Sequence, residues 1–319
     1  MSKFTVWRSL AAVGALALVA ACGAAPAAQP GRPQVVFAQA SGGIGFSAAV
    51  TASVQKAAQE KGWDLTVLDN KADATTAVEH ARTTAVRKPA LFIEYNLHPE
   101  SNKQISKIMA DAHVPVLSVQ FPTDGAPLYA IDNTKVGTLG GEGLAKAATE
   151  RFGPAAVTKA LILNFPEGGA ANLARGAGAE AALKKAFPSI EIVQGADKND
   201  TAVATQVVNS FLVSNPDRKL LIWSHLDQYS IAAVNAARAA GREQDVLIAS
   251  TGGEASILPE IRKAGGAVVG TASLFPDSWG GEIVALGGKV LGGEKVPDLS
   301  EPSKVRFVDP SNVDELYPS

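Results

Sequence analysis

The chain has 319 residues, with 29 Lys and Arg against 31 Asp and Glu and a formal net charge of -2. This balance, with no basic run beyond the first few residues, gives no electrostatic footprint for binding nucleic acid. Its one cysteine, Cys22, excludes an internal disulfide and a cysteine metal cluster. The length suffices for one large or two medium domains with proper cores.

The amino-terminal segment is typical of an export signal. Lys3 and Arg8 precede an uncharged apolar run over residues 10–21, which is too short to span a bilayer comfortably. The run ends in Leu18-Val19-Ala20-Ala21-Cys22-Gly23, which resembles a bacterial lipobox, where a peptidase cuts before a cysteine that receives a diacylglycerol. We therefore predict a signal peptide over 1–21 and lipidation of Cys22. An ordinary signal peptide with an incidental cysteine is the alternative.

The stretch after Cys22 is rich in Ala, Pro and Gly and predicts a flexible tether over 22–33. Beyond it, short β-rich apolar runs alternate with longer segments of helical period, which is typical of parallel α/β units. Ten strands are predicted, at 35–39, 65–69, 90–94, 116–119, 128–131, 160–163, 190–193, 220–223, 246–249 and 267–271. The helices between them include 48–61, 172–186, 201–214 and 228–240.

The strands divide five and five, which predicts two doubly wound parallel sheets forming two lobes. A cleft between such lobes lies where the carboxyl ends of the strands face each other, and open α/β folds bind their ligands there.

Motifs for catalysis are scarce. The sequence has no Gly-x-Ser-x-Gly elbow and no Walker-type phosphate loop, and its four histidines lack metal-ligand spacing. We predict no enzyme activity, no cofactor and no metal.

One motif favours a different class of protein: Gly43-Ile44-Gly45-Phe46-Ser47-Ala48 opens a helix and Asp69 ends the next strand, as in a dinucleotide-binding oxidoreductase. Export argues against it, because a secreted protein meets little free NAD.

A series of short matches runs in order through nearly the whole mature chain. They are the stretch from Phe46 through Ala57-Ala58-Gln59-Glu60-Lys61-Gly62-Trp63, then Val114-Pro115-Val116-Leu117-Ser118-Val119, Ile131-Asp132-Asn133 and Ala174-Arg175-Gly176-Ala177-Gly178. Further on come Asp227, which opens the helix that ends Ala239-Ala240-Gly241-Arg242, and Leu291-Gly292-Gly293-Glu294-Lys295-Val296-Pro297. In this order they resemble the type I periplasmic binding proteins of the ribose-binding class, the receptors of sugar ABC importers.

The resemblance implies two lobes joined by three hinge crossings, which close on a ligand. The amino-terminal lobe would comprise 34–132 plus 275–303, and the carboxy-terminal lobe 133–274 plus 304–319. It also implies a small-molecule ligand and, as partners, an ABC permease and ATPase, with the lipid on Cys22 holding the protein to the bilayer. We expect a monomer in the periplasm or at the cell surface.

The sequence departs from sugar receptors at the positions that hold hydroxyls. Sugar receptors of this class bind hydroxyls with an Asp-Arg pair, an Arg, an Asn-Asp pair, an Asp and a Gln. In the same order, the corresponding positions here are Gln120-Phe121, Leu173, Leu226-Asp227, Gly252 and Leu274, so only the aspartate of the Asn-Asp pair is kept. Apolar replacements would leave a buried sugar's hydroxyls unpaired, at about 1–3 kcal/mol for each group.

The ligand is therefore predicted to be a small neutral solute, more apolar or aromatic than a free sugar. The cleft is predicted to use the aromatic residues Phe46, Tyr95, Phe121, Phe165, Trp223, Phe275 and Trp279, the polar residues Gln120, Asn172, His225 and Asp227, and Leu173, Leu226 and Leu274. Two further functions stay open: a ligand-sensing lipoprotein for a membrane receptor kinase or chemoreceptor, and a conventional carbohydrate receptor.

Overall fold

A computed structural model describes residues 31–216 and 218–318. The predicted signal peptide, Cys22 and most of the predicted tether lie outside the described residues. Helices and strands follow one another as β1 (Gln34–Gln39), α1 (Gly45–Lys61), β2 (Asp64–Asp69), α2 (Ala74–Arg87), β3 (Leu91–Glu94), α3 (Pro99–Ala112), β4 (Val116–Val119), β5 (Leu128–Tyr129), α4 (Asn133–Phe152), β6 (Val157–Asn164), α5 (Gly169–Ala186), β7 (Glu191–Ala196), α6 (Thr201–Val213), β8 (Lys219–Ser224), α7 (Asp227–Ala239), β9 (Val246–Gly252), α8 (Leu258–Ile261), β10 (Val268–Ser273), α9 (Pro276–Leu291), β11 (Leu299–Ser300), β12 (Arg306–Val308) and α10 (Val313–Leu316).

The strands form two six-stranded sheets, in the orders β11-β5-β4-β3-β1-β2 and β12-β10-β9-β8-β6-β7. Neighbouring strands run parallel except β12, which pairs antiparallel with β10. Each sheet is covered by helices on both faces, as parallel sheets require. The predicted fold class, two doubly wound α/β lobes, is confirmed, and each of the ten predicted strands is present as one of β1–β10. The two-residue strand β11 is not predicted by the sequence.

The alternation of side chains along each strand divides each lobe into two cores. In β1, Val35 and Phe37 pack with α1 and α9, while Val36 and Ala38 pack with α2 and α3. In β6, the two sets of alternating side chains likewise pack with α6 and α7 on one face and with α4 and α5 on the other. The continuous apolar runs in the sequence reflect this double burial.

The chain passes between the two sheets three times. It leaves the first sheet after β5 to begin α4, returns after β10 to begin α9, and passes from β11 to β12 near the carboxyl terminus. Asp132 stands at the first crossing, where its side chain accepts a hydrogen bond of 3.0 Å from the N–H of Lys135 and caps α4.

Helices α4 and α5 pack closely through glycines. A Cβ on Gly137 would overlap the carbonyl oxygen of Arg175, and one on Gly178 would overlap that of Thr134. The two helix backbones therefore approach as closely as only glycine permits, and this approach sets the position of α5 against the second sheet.

Gly137→Ala should separate α4 from α5 because the added methyl group overlaps backbone that cannot rotate away. We expect a loss of at least about 1–3 kcal/mol in the free energy of unfolding, measured by urea denaturation. Gly281→Ala is the control, since Gly281 lies in α9 with no atom within 4 Å of its added Cβ. That change should raise stability by about 0.5–1 kcal/mol through helix propensity. Equal effects of the two substitutions would contradict the close packing.

Candidate functional site

A cavity of about 580 Å³, counted with its open mouth, lies between the two sheets. Six of its lining residues each follow directly after the last residue of a strand: Ala40, Tyr95, Gln120, Phe165, His225 and Leu274. The remaining lining residues are Ile44, Phe46, Ser47, Leu97, Phe121, Asn133, Asn172, Arg175, Asn199 and Leu226. The carboxyl ends of strands from both sheets thus converge on one site, where open α/β folds bind their ligands.

Three phenylalanines give the cavity its aromatic walls. Phe46 and Phe121 come from the first lobe and Phe165 from the second, and each is at least nine-tenths buried. Phe46 is supported from behind by Trp279, whose ring meets it edge to face at a centroid distance of 5.0 Å. Phe165 is stacked with His225 at 6.3 Å between ring centroids. The walls therefore offer flat apolar surfaces from both lobes.

The central polar group of the cavity is the guanidinium of Arg175, in α5. Its Nε and Nη2 donate to Oδ1 of Asn133 at 2.9 and 2.8 Å, and its Nη1 donates to the carbonyl oxygen of His225 at 2.9 Å. Burial lowers the pKa of Arg175 to about 10, with the neighbouring Tyr95 acting in the opposite direction. Arg175 stays cationic at neutral pH.

A second polar cluster lies against the loop after β7. Nε2 of His225 is 2.9 Å from Oδ2 of the buried Asp197, at angles outside hydrogen-bond geometry. The ring of His225 stacks on Tyr229 at 5.0 Å, and the hydroxyl of Tyr229 donates to Oδ1 of Asn199 at 2.7 Å. The amide of Asn199, which lines the cavity, is held in one orientation with its Nδ2 left to donate.

The structure places nine of the predicted site residues around the cavity. These are Phe46, Tyr95, Gln120, Phe121, Phe165, Asn172, His225, Leu226 and Leu274. Their roles in binding stay predictions.

Three predicted aromatic residues lie elsewhere, for different reasons. Trp223 is within β8 rather than past its end, and its ring packs in the core, where Nε1 would lie 2.7 Å from a Cβ on Gly140. Trp279 is fully buried and donates from Nε1 to the carbonyl oxygen of Leu274 at 2.8 Å. Phe275 has a left-handed backbone and stacks on Tyr317. These side chains do not line the cavity.

Leu173 and Asp227 also lie away from the cavity. Leu173 is 48% exposed, because it is two residues from Arg175 in α5 and so points to the other side of the helix. Both carboxylate oxygens of Asp227 are used inside the protein. They accept hydrogen bonds from Ser250 Oγ, Thr271 Oγ1 and the N–H groups of Gly253 and Glu254, at 2.5–2.7 Å. Asp227 thus holds the loop after β9.

Seven lining residues were not predicted: Ala40, Ile44, Ser47, Leu97, Asn133, Arg175 and Asn199. A signal existed for Arg175, since it lies three residues after Asn172 and therefore on the same face of α5. Asn133 belongs to Ile131-Asp132-Asn133, one of the segments that resemble the ribose-binding class, and it begins α4. Nothing in the sequence marks Asn199, which enters the cavity through two successive left-handed residues, Lys198 and Asn199.

A contact between the lobes closes one side of the cleft. Glu254, in the loop that Asp227 holds, places its carboxyl group against the start of α1, beside the N–H of Phe46. A Cβ on Gly45 would overlap Oε2 of Glu254, so only glycine allows this approach. The N–H of Gly45 also donates to Gln228 Oε1 of the second lobe at 3.4 Å.

The same contact argues against the dinucleotide-binding function that the Gly43–Ala48 motif suggested. In a dinucleotide-binding fold the amino terminus of this helix receives a pyrophosphate, whereas here it receives the carboxyl group of Glu254. Asp69, the expected ribose ligand, instead accepts hydrogen bonds from the N–H groups of Gly42 and Lys71. Among the described residues, no group of His, Cys, Asp and Glu side chains is placed to hold a metal ion.

Comparison with known proteins agrees with this geometry. Residues 35–295 match the family model described as periplasmic binding protein domain. The ribose import binding proteins of Salmonella typhimurium and Escherichia coli are 25% and 26% identical to the chain over 256 residues, which cover 79% of it and 82% of each relative. Two α/β lobes with a cavity between them are typical of a solute-binding protein. The chain belongs to the periplasmic binding protein family, as a type I member of the ribose class.

Solved structures show the same fold. An ABC transporter solute-binding protein of Mycobacterium smegmatis with bound glycerol is 24% identical, with a TM-score of 0.82 over 91% of this chain and 98% of that one. One from Bacillus halodurans with bound myo-inositol is 18% identical, with a TM-score of 0.79 over 91% and 99%. These relatives are solute-binding proteins rather than enzymes.

In the described part of this chain, each helix is too short or too polar to cross a bilayer.

Glu254 predicts a pH dependence of stability. Burial, and next the nearby Asp227, raise the pKa of Glu254 from its ordinary value to about 8, although the N–H of Phe46 and the side chain of Ser256 act against the shift. Burial also raises the pKa of Asp227, which its four donors oppose, so we place the proton of this pair on Glu254. The folded protein then keeps this proton over a pH range in which the unfolded chain loses it.

A raised carboxyl pKa lowers the free energy of unfolding as pH rises from the unfolded value toward 8, by up to about 1.4 kcal/mol per pH unit. Glu254→Gln removes this contribution, so the variant should gain stability relative to the unchanged protein between pH 5 and 8 and show no further gain above that. Urea denaturation at several pH values measures the difference. The exposed Glu150→Gln is the control, and parallel curves for E254Q and the unchanged protein would refute the assignment.

Proposed function

We propose that this chain is the solute receptor of a sugar-type ABC importer, exported and held at the membrane by lipid on Cys22. Membership of the periplasmic binding protein family and the likeness to ribose import binding proteins support the transport role and a location outside the cytoplasmic membrane. The signal-like run before Cys22 supports the anchor. In this proposal the protein acts as a monomer, without catalysis, and hands its ligand to a permease.

The ligand is proposed to be a small solute, more apolar or aromatic than a free sugar. One observation carries this: the cavity lining contains no Asp or Glu. A carboxylate is the strongest acceptor for a sugar hydroxyl in a desolvated site. The carboxylate of Asp227 does not line the cavity, because both of its oxygens accept hydrogen bonds from groups inside the protein. Eight lining residues are instead Ala, Ile, Leu or Phe: Ala40, Ile44, Phe46, Leu97, Phe121, Phe165, Leu226 and Leu274.

Ligand capture is proposed to follow closure of the lobes, 34–132 plus 275–303 against 133–274 plus 304–319, about the three crossings. The contact of Glu254 with the start of α1 supports this, because it joins the lobes directly and depends on the absence of a side chain at Gly45. A permease would then recognise the closed form.

A second candidate is a conventional carbohydrate receptor. The names of the curated relatives favour it, since they are ribose import binding proteins. Asn133, Asn172, Asn199 and Gln120 give the cavity amide groups that can also meet hydroxyls.

A thermal-shift panel separates the two. D-ribose, D-galactose and myo-inositol should leave the melting temperature unchanged at millimolar concentration, while cyclic solutes with one or two polar groups should raise it. Phe165→Ala should weaken binding of those solutes by about 10- to 100-fold, since burial of an aromatic wall is lost. Leu173→Ala is the matched control, because Leu173 is exposed outside the cavity. Strong stabilisation by the sugars alone would establish the carbohydrate receptor instead.

The anchor is tested in bacteria that express the full chain. The unchanged protein should incorporate labelled palmitate and sediment with membranes, because an acylated cysteine is a membrane anchor. Cys22→Ser should abolish the label and release the protein in soluble form. Soluble, unlabelled protein from the unchanged chain would show an ordinary signal peptide.

A further inference from the structure

Arg175 is a buried cation without an ionic partner. Its side chain is 8% exposed and lines the cavity between the lobes. Among the described residues no carboxylate lies within ion-pair distance of it, and its partners are the amide oxygen of Asn133 and the carbonyl oxygen of His225. Taking an unpaired charge out of water is strongly unfavourable, so a buried cation calls for a partner of opposite charge.

The guanidinium also retains donor capacity. A guanidinium has five N–H donors, and three hydrogen bonds to protein atoms are formed, which leaves two N–H groups for another partner. Tyr95, the ionisable neighbour that affects Arg175, does not supply the missing negative charge, because burial raises the pKa of its hydroxyl and keeps the phenol protonated.

Two asparagines in the lining offer further donors. Oδ1 of Asn133 accepts from Arg175, and Oδ1 of Asn199 accepts from the hydroxyl of Tyr229. Each amide therefore has its NH₂ group left to donate. Asn172 is the opposite case, since its Nδ2 donates to the carbonyl oxygen of Gly168. One cation and two oriented amide donors, with no Asp or Glu in the lining, form a site for a negatively charged acceptor.

We propose that the ligand carries a carboxylate that Arg175 binds in the cavity, with its apolar or aromatic body between Phe46, Phe121 and Phe165. This rests on the proposed function and departs from it in one respect, since the sequence predicts a neutral solute. A carboxylate fits better than a phosphate, because its single charge matches the single cation and its two oxygens match a planar pair of N–H donors.

Matched pairs of acids and neutral analogues test the proposal on the unchanged protein by isothermal titration calorimetry. The probes are benzoate against benzamide and benzyl alcohol, and cyclohexanecarboxylate against cyclohexylmethanol. Each acid should bind at least about 100-fold more tightly than its neutral analogues, as expected when a buried charge gains its partner. Neutral analogues that bind as well as the acids would overturn the carboxylate and leave the proposed function in place. Binding of D-ribose with no binding of either kind of probe would overturn both.

Substitutions of Arg175 test whether its guanidinium is the group that binds the carboxylate. Arg175→Gln should reduce acid binding by about 100-fold and benzamide binding by much less, because only the acid loses a charged partner, while Arg175→Lys should recover part of the acid binding by restoring the charge without the planar fork. Arg242→Gln is the control: Arg242 is also largely buried, but it pairs with Asp245 and binds the carbonyl oxygens of Asn215 and Arg218 outside the lining. Equal loss of acid and benzamide binding in R175Q would assign Arg175 a structural role only. Melting curves identify any variant that fails to fold.

Discussion

The hydrogen bonds of Arg175 fix the geometry of the second lobe at the cleft. They join three elements that are distant in sequence: α5, the first residue of α4 at Asn133, and the segment after β8 at His225. A buried guanidinium cannot exchange these partners for water, so none of the three elements moves without the others. The close glycine packing of α4 on α5 allows the arrangement, because it sets the backbone of Arg175 against Gly137. The polar wall of the cavity is thus as rigid as the helix pair beneath it.

A second constraint comes from another buried acidic residue in this lobe. Asp227 gathers two hydroxyls and two N–H groups, and so aligns the loop that carries Glu254 toward α1. Asp227 thus holds the loop that touches the other lobe.

The sequence predicted the fold because the double burial of parallel strands appears as continuous apolar runs, such as 35–39 and 160–163. It predicted only part of the site. Phe165 and His225 lie two residues past the predicted runs 160–163 and 220–223, near the carboxyl ends of the strands. Trp223 was placed at the end of its strand, but β8 continues to Ser224 and the ring packs in the core. What the sequence did not reveal is pairing across long separations. That Asp227 meets Thr271, or that Glu254 meets Gly45, depends on how the sheets and lobes are placed rather than on any local pattern.

The lining shows why a shared fold does not transfer a ligand. Six of its residues, among them Tyr95, Gln120 and Leu274, stand one position past the end of a strand, where the backbone has left the sheet's hydrogen-bond ladder. A side chain there can change without cost to the strand pairing, while the strand end still fixes the position of its Cα. Relatives that are 18–24% identical therefore keep TM-scores of about 0.8. The strand ends thus fix where these side chains stand, and the residue after each strand sets the chemistry of the cavity lining.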